Sequence, residues 1–306
     1  MTESIHQVAK KISKLKIQGA RNVAIAAIEA LVKLSRASKT KEKSVFLNEL
    51  LAGQALLFNS RETEPLMRNA IRWIISQVQE SEEKKVLELS KIVDKSAKEF
   101  LGNLEISKKN IARIGKKRIR KNSVILTHCH SSTVTNIFIK AKKEGKKFEI
   151  FCTETRPKFQ GRITAQELIE NEIKTTLIVD SAVRSIIKEI DFVVVGADAI
   201  TSEGNVINKI GTSAIALIAK EARKPFYVVS ELLKFDPETV CGDYEKIEER
   251  NPYEIWRNPP EKLVIRNPAF DVTRRDFIHG IICEKGIIPP HSIFEVVQRN
   301  YKWILR

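Results

Sequence analysis

At about residue 120 the chain changes its hydrophobic rhythm, and that change limits the fold more than any other feature. Before it, apolar residues recur three and four apart, as in Ile5, Val8, Ile12 and Leu15 and again in Ile25, Ile28, Leu31 and Val32. That spacing gathers side chains on one face of an α-helix. Pro65, ahead of Leu66, Met67, Ala70, Ile71, Trp73 and Ile74, suits the first turn of a further helix, where a missing N–H costs nothing. Val86, Leu89, Val93, Phe100, Leu104, Ile111 and Ile114 follow a nearly heptad pattern, which predicts a long helix bridging the two halves. After Asn122, short apolar runs occur at Ser123–Leu126, Phe148–Phe151, Thr176–Val179, Phe192–Val195 and Phe226–Val229. The stretches between them, near 132–144, 163–172, 182–189 and 208–222, are long enough for crossover helices. Buried apolar runs joined this way predict an α/β chain, with a helical N-terminal domain over 1–120 and a doubly wound parallel-sheet domain over 121–306.

A length of 306 residues, 42% of them hydrophobic and 30% charged, gives each half enough apolar surface for its own core. Neither an apolar run of the roughly 20 residues a spanning helix needs nor an apolar stretch in Met1–Ser13 is present, so a cytoplasmic protein is expected, with no membrane partner. Four cysteines, at 129, 152, 241 and 283, are too scattered for a disulfide framework or paired zinc knuckles, and reduced thiols are expected. The net charge of +15 attracts anions. Much of it comes from pairs such as Lys142/Lys143 and Lys146/Lys147, which read as solvated surface, and no recognised nucleic-acid-binding motif accompanies them.

Ligands in doubly wound sheets bind at the carboxyl ends of the strands. The first strand runs into Thr127-His128-Cys129-His130-Ser131-Ser132-Thr133, where a helix begins. Helix-start amides and the hydroxyls of Ser131, Ser132 and Thr133 make an anion site. A thiol there, near two imidazoles, is expected to lose its proton readily, so that Cys129 is either a thiolate base or nucleophile or a small buried cysteine. A metal site of His128, Cys129 and His130 is disfavoured, because adjacent residues rarely converge on one ion. The fourth strand delivers Asp198, either a proton-transfer carboxylate whose pKa burial raises or a turn-capping aspartate. Asn208-Lys209-Ile210-Gly211-Thr212 reads as the opening of the next helix, with Lys209 a phosphate ligand or a surface lysine. Arg156 is free for oxyanions or paired with Glu154, Lys234 can reach the same crevice, and Cys152 and Cys283 read as core. No G-x-G-x-x-G follows any strand, so a dinucleotide is not indicated.

Taken in order, Thr127-His128-Cys129, Glu154-Thr155-Arg156-Pro157 with Gln160-Gly161, Gly196-Ala197-Asp198, Asn208-Lys209-Ile210-Gly211-Thr212 and Phe270-Asp271-Val272-Thr273 resemble the superfamily of initiation factor 2B regulatory subunits. That superfamily also holds isomerases of methylthioribose 1-phosphate and of ribose 1,5-bisphosphate. The phrases His128-Cys129-His130-Ser131, Val206 to Ser213 and Lys234-Phe235 look most like the archaeal ribose 1,5-bisphosphate branch. The resemblance implies a Rossmann-like C-terminal domain, a homo-oligomer built from dimers up to hexamers, and AMP as an activator. It makes Cys129 the proton acceptor and Asp198 the proton donor, with Ser131, Ser132, Thr133, Asn208, Lys209, Lys234 and Arg61 binding a phosphorylated sugar.

Two departures stand out. Where the family has an Arg-Gly-Ala-Gly-like phosphate loop, this chain has Gln18-Gly19-Ala20-Arg21, so Gly19, Ala20 and Arg21 are the expected contacts and Arg21 the stand-in for the lost arginine. Arg274-Arg275 replaces two prolines. The reaction implied is conversion of α-ribose 1,5-bisphosphate to ribulose 1,5-bisphosphate through a cis-enediolate, with no metal or nucleotide cofactor. The alternative is a non-enzymatic regulatory subunit with a translation initiation factor as partner.

Overall fold

The computed structural model describes residues 3–61, 63–241 and 247–305; Glu62 and the Cys241 side chain lie outside the described residues. Helices α1 (Ile5–Ser13), α2 (Ala20–Ala37), α3 (Lys43–Phe58), α4 (Pro65–Gln79) and α5 (Val86–Gly115) form the first part, with Pro65 in the first turn of α4 as its sequence predicts. Their apolar faces meet in one core that includes Ile12, Leu31, Leu50, Met67, Ile71 and Phe100. Each fully buried side chain of this size contributes about 1.5–3 kcal/mol.

The second part is built from β1 (Ser123–Thr127), α6 (Ser132–Lys143), β2 (Phe148–Thr153), α7 (Gln160–Glu170), β3 (Lys174–Ile178), α8 (Val183–Ile186), β4 (Phe192–Val195), β5 (Ala199–Ile200), β6 (Val206–Lys209), α9 (Thr212–Glu221), β7 (Phe226–Val229), β8 (Phe270–Thr273), β9 (Gly280–Cys283), β10 (Gly286–Ile288) and α10 (Ile293–Asn300). A seven-stranded sheet runs in the order β10-β9-β7-β4-β1-β2-β3, parallel except for the hairpin partner β10. The five predicted runs are β1, β2, β3, β4 and β7. Successive residues on these strands point to opposite faces. Leu126, Val193, Val195 and Val228 therefore join the core that continues into the helical bundle, while Ile125, Ile150, Phe192 and Val194 pack under α6. Helix α5 contributes to both cores: Phe100 and Leu104 belong to the first and Ile111 to the second.

One prediction fails. Asn208 and Lys209 do not open a helix; they end β6, and α9 begins only at Thr212. β6 pairs antiparallel with β5 and β8 in a separate three-stranded sheet, placing Asn208 opposite Asp271 and Lys209 opposite Phe270. The partner strand lies some 60 residues downstream, so local pattern favours the helix and tertiary pairing overrides it. Gly211 makes the turn between β6 and α9 with φ of 102°, a conformation costly for a residue bearing a Cβ.

Candidate active site

The carboxyl ends of β1, β4 and β6 and the N-termini of α2 and α6 surround one cavity of about 480 Å³. Its walls include Gly19, Ala20, Arg21, Arg61, Cys129, Ser131, Ser132, Thr133, Asp198, Asn208, Lys209 and Lys234, so residues as far apart as Gly19 and Lys234 that the sequence picks out converge on one space. Two helix starts facing one hollow, with lysines and arginines in its wall, make an anion site. Ser131 is the cap residue of α6 but makes no side-chain capping bond, so the amides at this start are not covered by its hydroxyl.

Cys129 is held through its backbone. Its N–H donates to Thr155 Oγ1 at 2.9 Å, and Thr164 Oγ1 donates to its carbonyl at 2.9 Å, which fixes a left-handed conformation with φ of 65°. A non-glycine residue keeps that conformation only where its surroundings enforce it. His128 lies beneath, fully enclosed. Its Nε2 donates to the Ile210 carbonyl at 2.9 Å, so Nδ1 at 2.6 Å from Thr153 Oγ1 is the acceptor. His130 turns instead towards Thr164 Oγ1 at 3.1 Å. The two rings thus point to different partners rather than to a common ion.

This geometry corrects the expected thiol chemistry. Burial pushes the Cys129 thiol up to about 11, opposed by the cation of Lys209 and reinforced by the carboxylates of Asp198 and Asp180. The imidazoles give no help, because burial also lowers the pKa of His128 and His130 and keeps both neutral. The Cys129 thiol is therefore protonated at neutral pH. Cys152 and Cys283, each pushed up to about 12 by burial, are inert core groups, as expected.

Asp198 sits at the bend between β4 and β5, its N–H donating to the Ile207 carbonyl at 2.8 Å. Gly196 lets this bend approach α6: a Cβ there would stand 2.9 Å from the Cβ and Oγ of Ser131. Lys209, largely desolvated, lies 4.8 Å from the Phe270 ring centroid. Burial lowers its pKa, offset by Cys129 and Asp198, and among the described ion pairs none involves it. Lys234 Nζ donates to the Ala197 carbonyl at 2.7 Å and lies 3.7 Å from Glu231.

The other cations are engaged. Arg61 Nη1 lies 2.7 Å from Glu64 and its Nε 3.6 Å from Glu248. Arg21 donates to the Leu104 carbonyl at 3.2 Å, pairs with Glu105 and stands 3.8 Å from Glu231. Arg156, offered above as an oxyanion ligand, donates instead to the Ile255 carbonyl at 3.0 Å, and Glu154 pairs with Arg162 rather than with it. Neither Arg274 nor Arg275 lines the cavity; Arg274 pairs with Asp276, and Arg275 bonds to Asn205 and the Glu203 carbonyl. Sequence reasoning missed Arg250, a buried wall residue between Glu248 and Glu254, and the threonines that fix Cys129. Arg250 lies in a stretch without periodicity, so nothing local marks it.

A helical bundle on a doubly wound sheet, with a thiol and a carboxylate at strand ends inside a cavity lined by lysines and arginines, defines a class of α/β proteins with a ligand crevice at the strand ends. The chain belongs to the Initiation factor 2 subunit family, whose model matches residues 16–290. It is 42% identical to the ribose 1,5-bisphosphate isomerase of Archaeoglobus fulgidus, over 96% of this chain and 93% of that one. It is 39% identical to the enzyme of the same name from Methanocaldococcus jannaschii, over 98% and 96%. Among solved structures, the Pyrococcus horikoshii OT3 translation initiation factor eIF-2B superposes with a TM-score of 0.82 at 30% identity, over 95% of this chain and 98% of that one. No described helix is long and apolar enough to cross a membrane.

Proposed function

We propose that the protein is a sugar-phosphate aldose–ketose isomerase that converts α-ribose 1,5-bisphosphate to ribulose 1,5-bisphosphate. The observation that carries the reading is the shared cavity: a cysteine and an aspartate face one space whose walls supply two helix starts and Lys209. Relatives named for this isomerisation match over nearly the whole chain.

In the reaction Cys129 Sγ takes the C2 proton and Asp198 gives a proton to a sugar oxygen. As the electron pair of that C–H bond forms the C1=C2 bond, the C1–O4 ring bond breaks and Asp198 protonates the departing ring oxygen. The resulting cis-enediolate, its C1 oxygen still phosphorylated, returns its C2-hydroxyl proton to Asp198 as C2=O forms and regains a proton at C1 from Cys129. The hydrogen lost at C2 is balanced by the hydrogen gained at C1, so no redox carrier is consumed. Lys209 and the α6 amides face the charge that develops, the role in which preorganised donors are worth most. The resting thiol must first give up its proton. Its raised pKa means that the thiolate fraction, and with it kcat, grows as pH rises from neutrality towards the thiol's own range.

Phosphorus NMR with α-ribose 1,5-bisphosphate, with and without AMP, tests this. Turnover that Cys129→Ser lowers by about 10²–10⁴-fold, with the fold retained, is the expected outcome. No turnover on this substrate or on methylthioribose 1-phosphate would sink the isomerase. That result would favour a second reading, a regulatory subunit that binds a sugar phosphate or nucleotide and contacts a translation initiation factor. The specific observation behind it is Gln18 at the mouth of the cavity, where the family's loop places an arginine. In either case a homo-oligomer built from dimers belongs to the reading, testable by light scattering.

A further inference from the structure

Glu64 has no part in the chemistry above, yet it is fully buried at the start of α4, directly behind the cavity wall. It lies 2.7 Å from Arg61, but neither of its oxygens accepts an aligned hydrogen bond. Glu248 approaches Arg61 from the other side, at 3.6 Å. Arg61 thus faces the cavity already neutralised, and an incoming anion must compete with two carboxylates for one guanidinium. Burying an ionised carboxylate is expensive unless it is paired, and pulling its partner towards another anion removes the pairing.

We infer that Glu64 is a positioning residue for Arg61: when an anion enters the cavity, Glu64 takes a proton from solvent and releases Arg61 to hold that anion. Four charged groups act on Glu64. Arg61 and Lys234 favour its ionised form, whereas Asp198 and Glu248 oppose it; burial outweighs them all and raises its pKa to about 7. A new anion beside it raises the pKa further, since like charges disfavour ionisation. By linkage the anion then binds more weakly as pH rises, by up to about tenfold per pH unit above neutrality. The inference rests on the cavity being a phosphate-ester site, not on the isomerase step.

Sulfate, which stays a dianion from pH 6 to 8, is the probe. Calorimetric titration of sulfate into the full-length protein, at several pH values and in two buffers of different ionisation heat, should show uptake of part of a proton near pH 7 and affinity that falls towards pH 8. Glu64→Gln should abolish both the uptake and the fall, and Arg61→Gln should abolish the coupled binding. Wild-type sulfate binding without proton uptake at pH 7, uptake that survives Glu64→Gln, or binding indifferent to Arg61→Gln would each overturn the inference. The wild-type proton count needs no variant, so misfolding of Glu64→Gln would not hide the answer. Turnover is read separately: its absence alongside coupled sulfate binding would defeat the reaction and leave this device standing.

Discussion

The two walls of the cavity are built on opposite principles. The strand-end wall that carries Cys129 is held by neutral hydrogen bonds from Thr153, Thr155, Thr164 and a neutral His128. The opposite wall is a lattice of charges, in which Glu64, Arg61, Glu248, Arg250 and Glu254 succeed one another in ion pairs of 2.7 to 4.0 Å. Neutral bonds keep their geometry through the physiological pH range, so the reacting sulfur stays where the backbone puts it. A charge lattice has geometry that a proton or an anion can rearrange. Under the proposed reaction the difference teaches a division of labour: one wall fixes the atoms that react, and the other adjusts to what binds.

The largest test of that division lies between the walls. Asp198→Asn removes the proposed proton donor and should lower kcat by about 10²–10⁴-fold with little change in ligand affinity. Lys209→Met should cost about 10²–10³-fold in kcat, because the ammonium faces charge that exists only in the transition state. Stopped-flow turnover beside equilibrium ligand binding checks both. If Lys209→Met raises KM alone, Lys209 belongs with the adjustable charges and the comparison breaks. Gly161→Ala tests the rigid wall through stability. A Cβ there would stand 1.7 Å from the Thr153 carbonyl oxygen, forcing α7 off β2. Loss of at least about 2–3 kcal/mol in urea unfolding is expected, in the range of overpacked cores; near-wild-type stability would show that wall to be softer than its hydrogen bonds imply.

The same contrast governs what could be read from the sequence. The strands beneath Cys129 and Asp198 are runs of Val, Ile and Phe with clear ends, so β1 and β4 and the residues they deliver were legible. The apolar run at Thr176–Val179 starts two residues after β3 does, because the strand's own start, Lys174-Thr175, is polar on an exposed edge of the sheet. The strand character of Asn208 and Lys209 was hidden, since it depends on pairing with Phe270 and Asp271. The Cys129 thiol looks acidic in sequence because its imidazole and helix-start neighbours are visible there, whereas its desolvation is not. Glu248 and Arg250 were missed outright. Glu248 matters through its ion pair with the distant Arg61, and Arg250 through the fold that sets it in the cavity wall, and neither leaves a period behind.

Arg21 gives the smallest effect and the sharpest question, because it belongs to the charged wall while occupying the neighbourhood of the absent loop arginine. Its guanidinium is tethered by the Leu104 carbonyl and by Glu105, with Glu231 3.8 Å away. Only part of its donor set can turn to a phosphate, and a full charge-assisted pair is therefore not expected. A charge-assisted hydrogen bond contributes about 1.5–3 kcal/mol, so the lower end applies and Arg21→Lys should raise KM by about tenfold. Because that contact is made equally to bound substrate and transition state, kcat should stay unchanged. Glu105→Gln loosens the tether from the other end and should leave KM unchanged or lower it. Steady-state kinetics of the two variants decide the matter. A fall in kcat with Arg21→Lys would mean that Arg21 positions the reacting sugar, and the adjustable wall would then share the work assigned here to the rigid one.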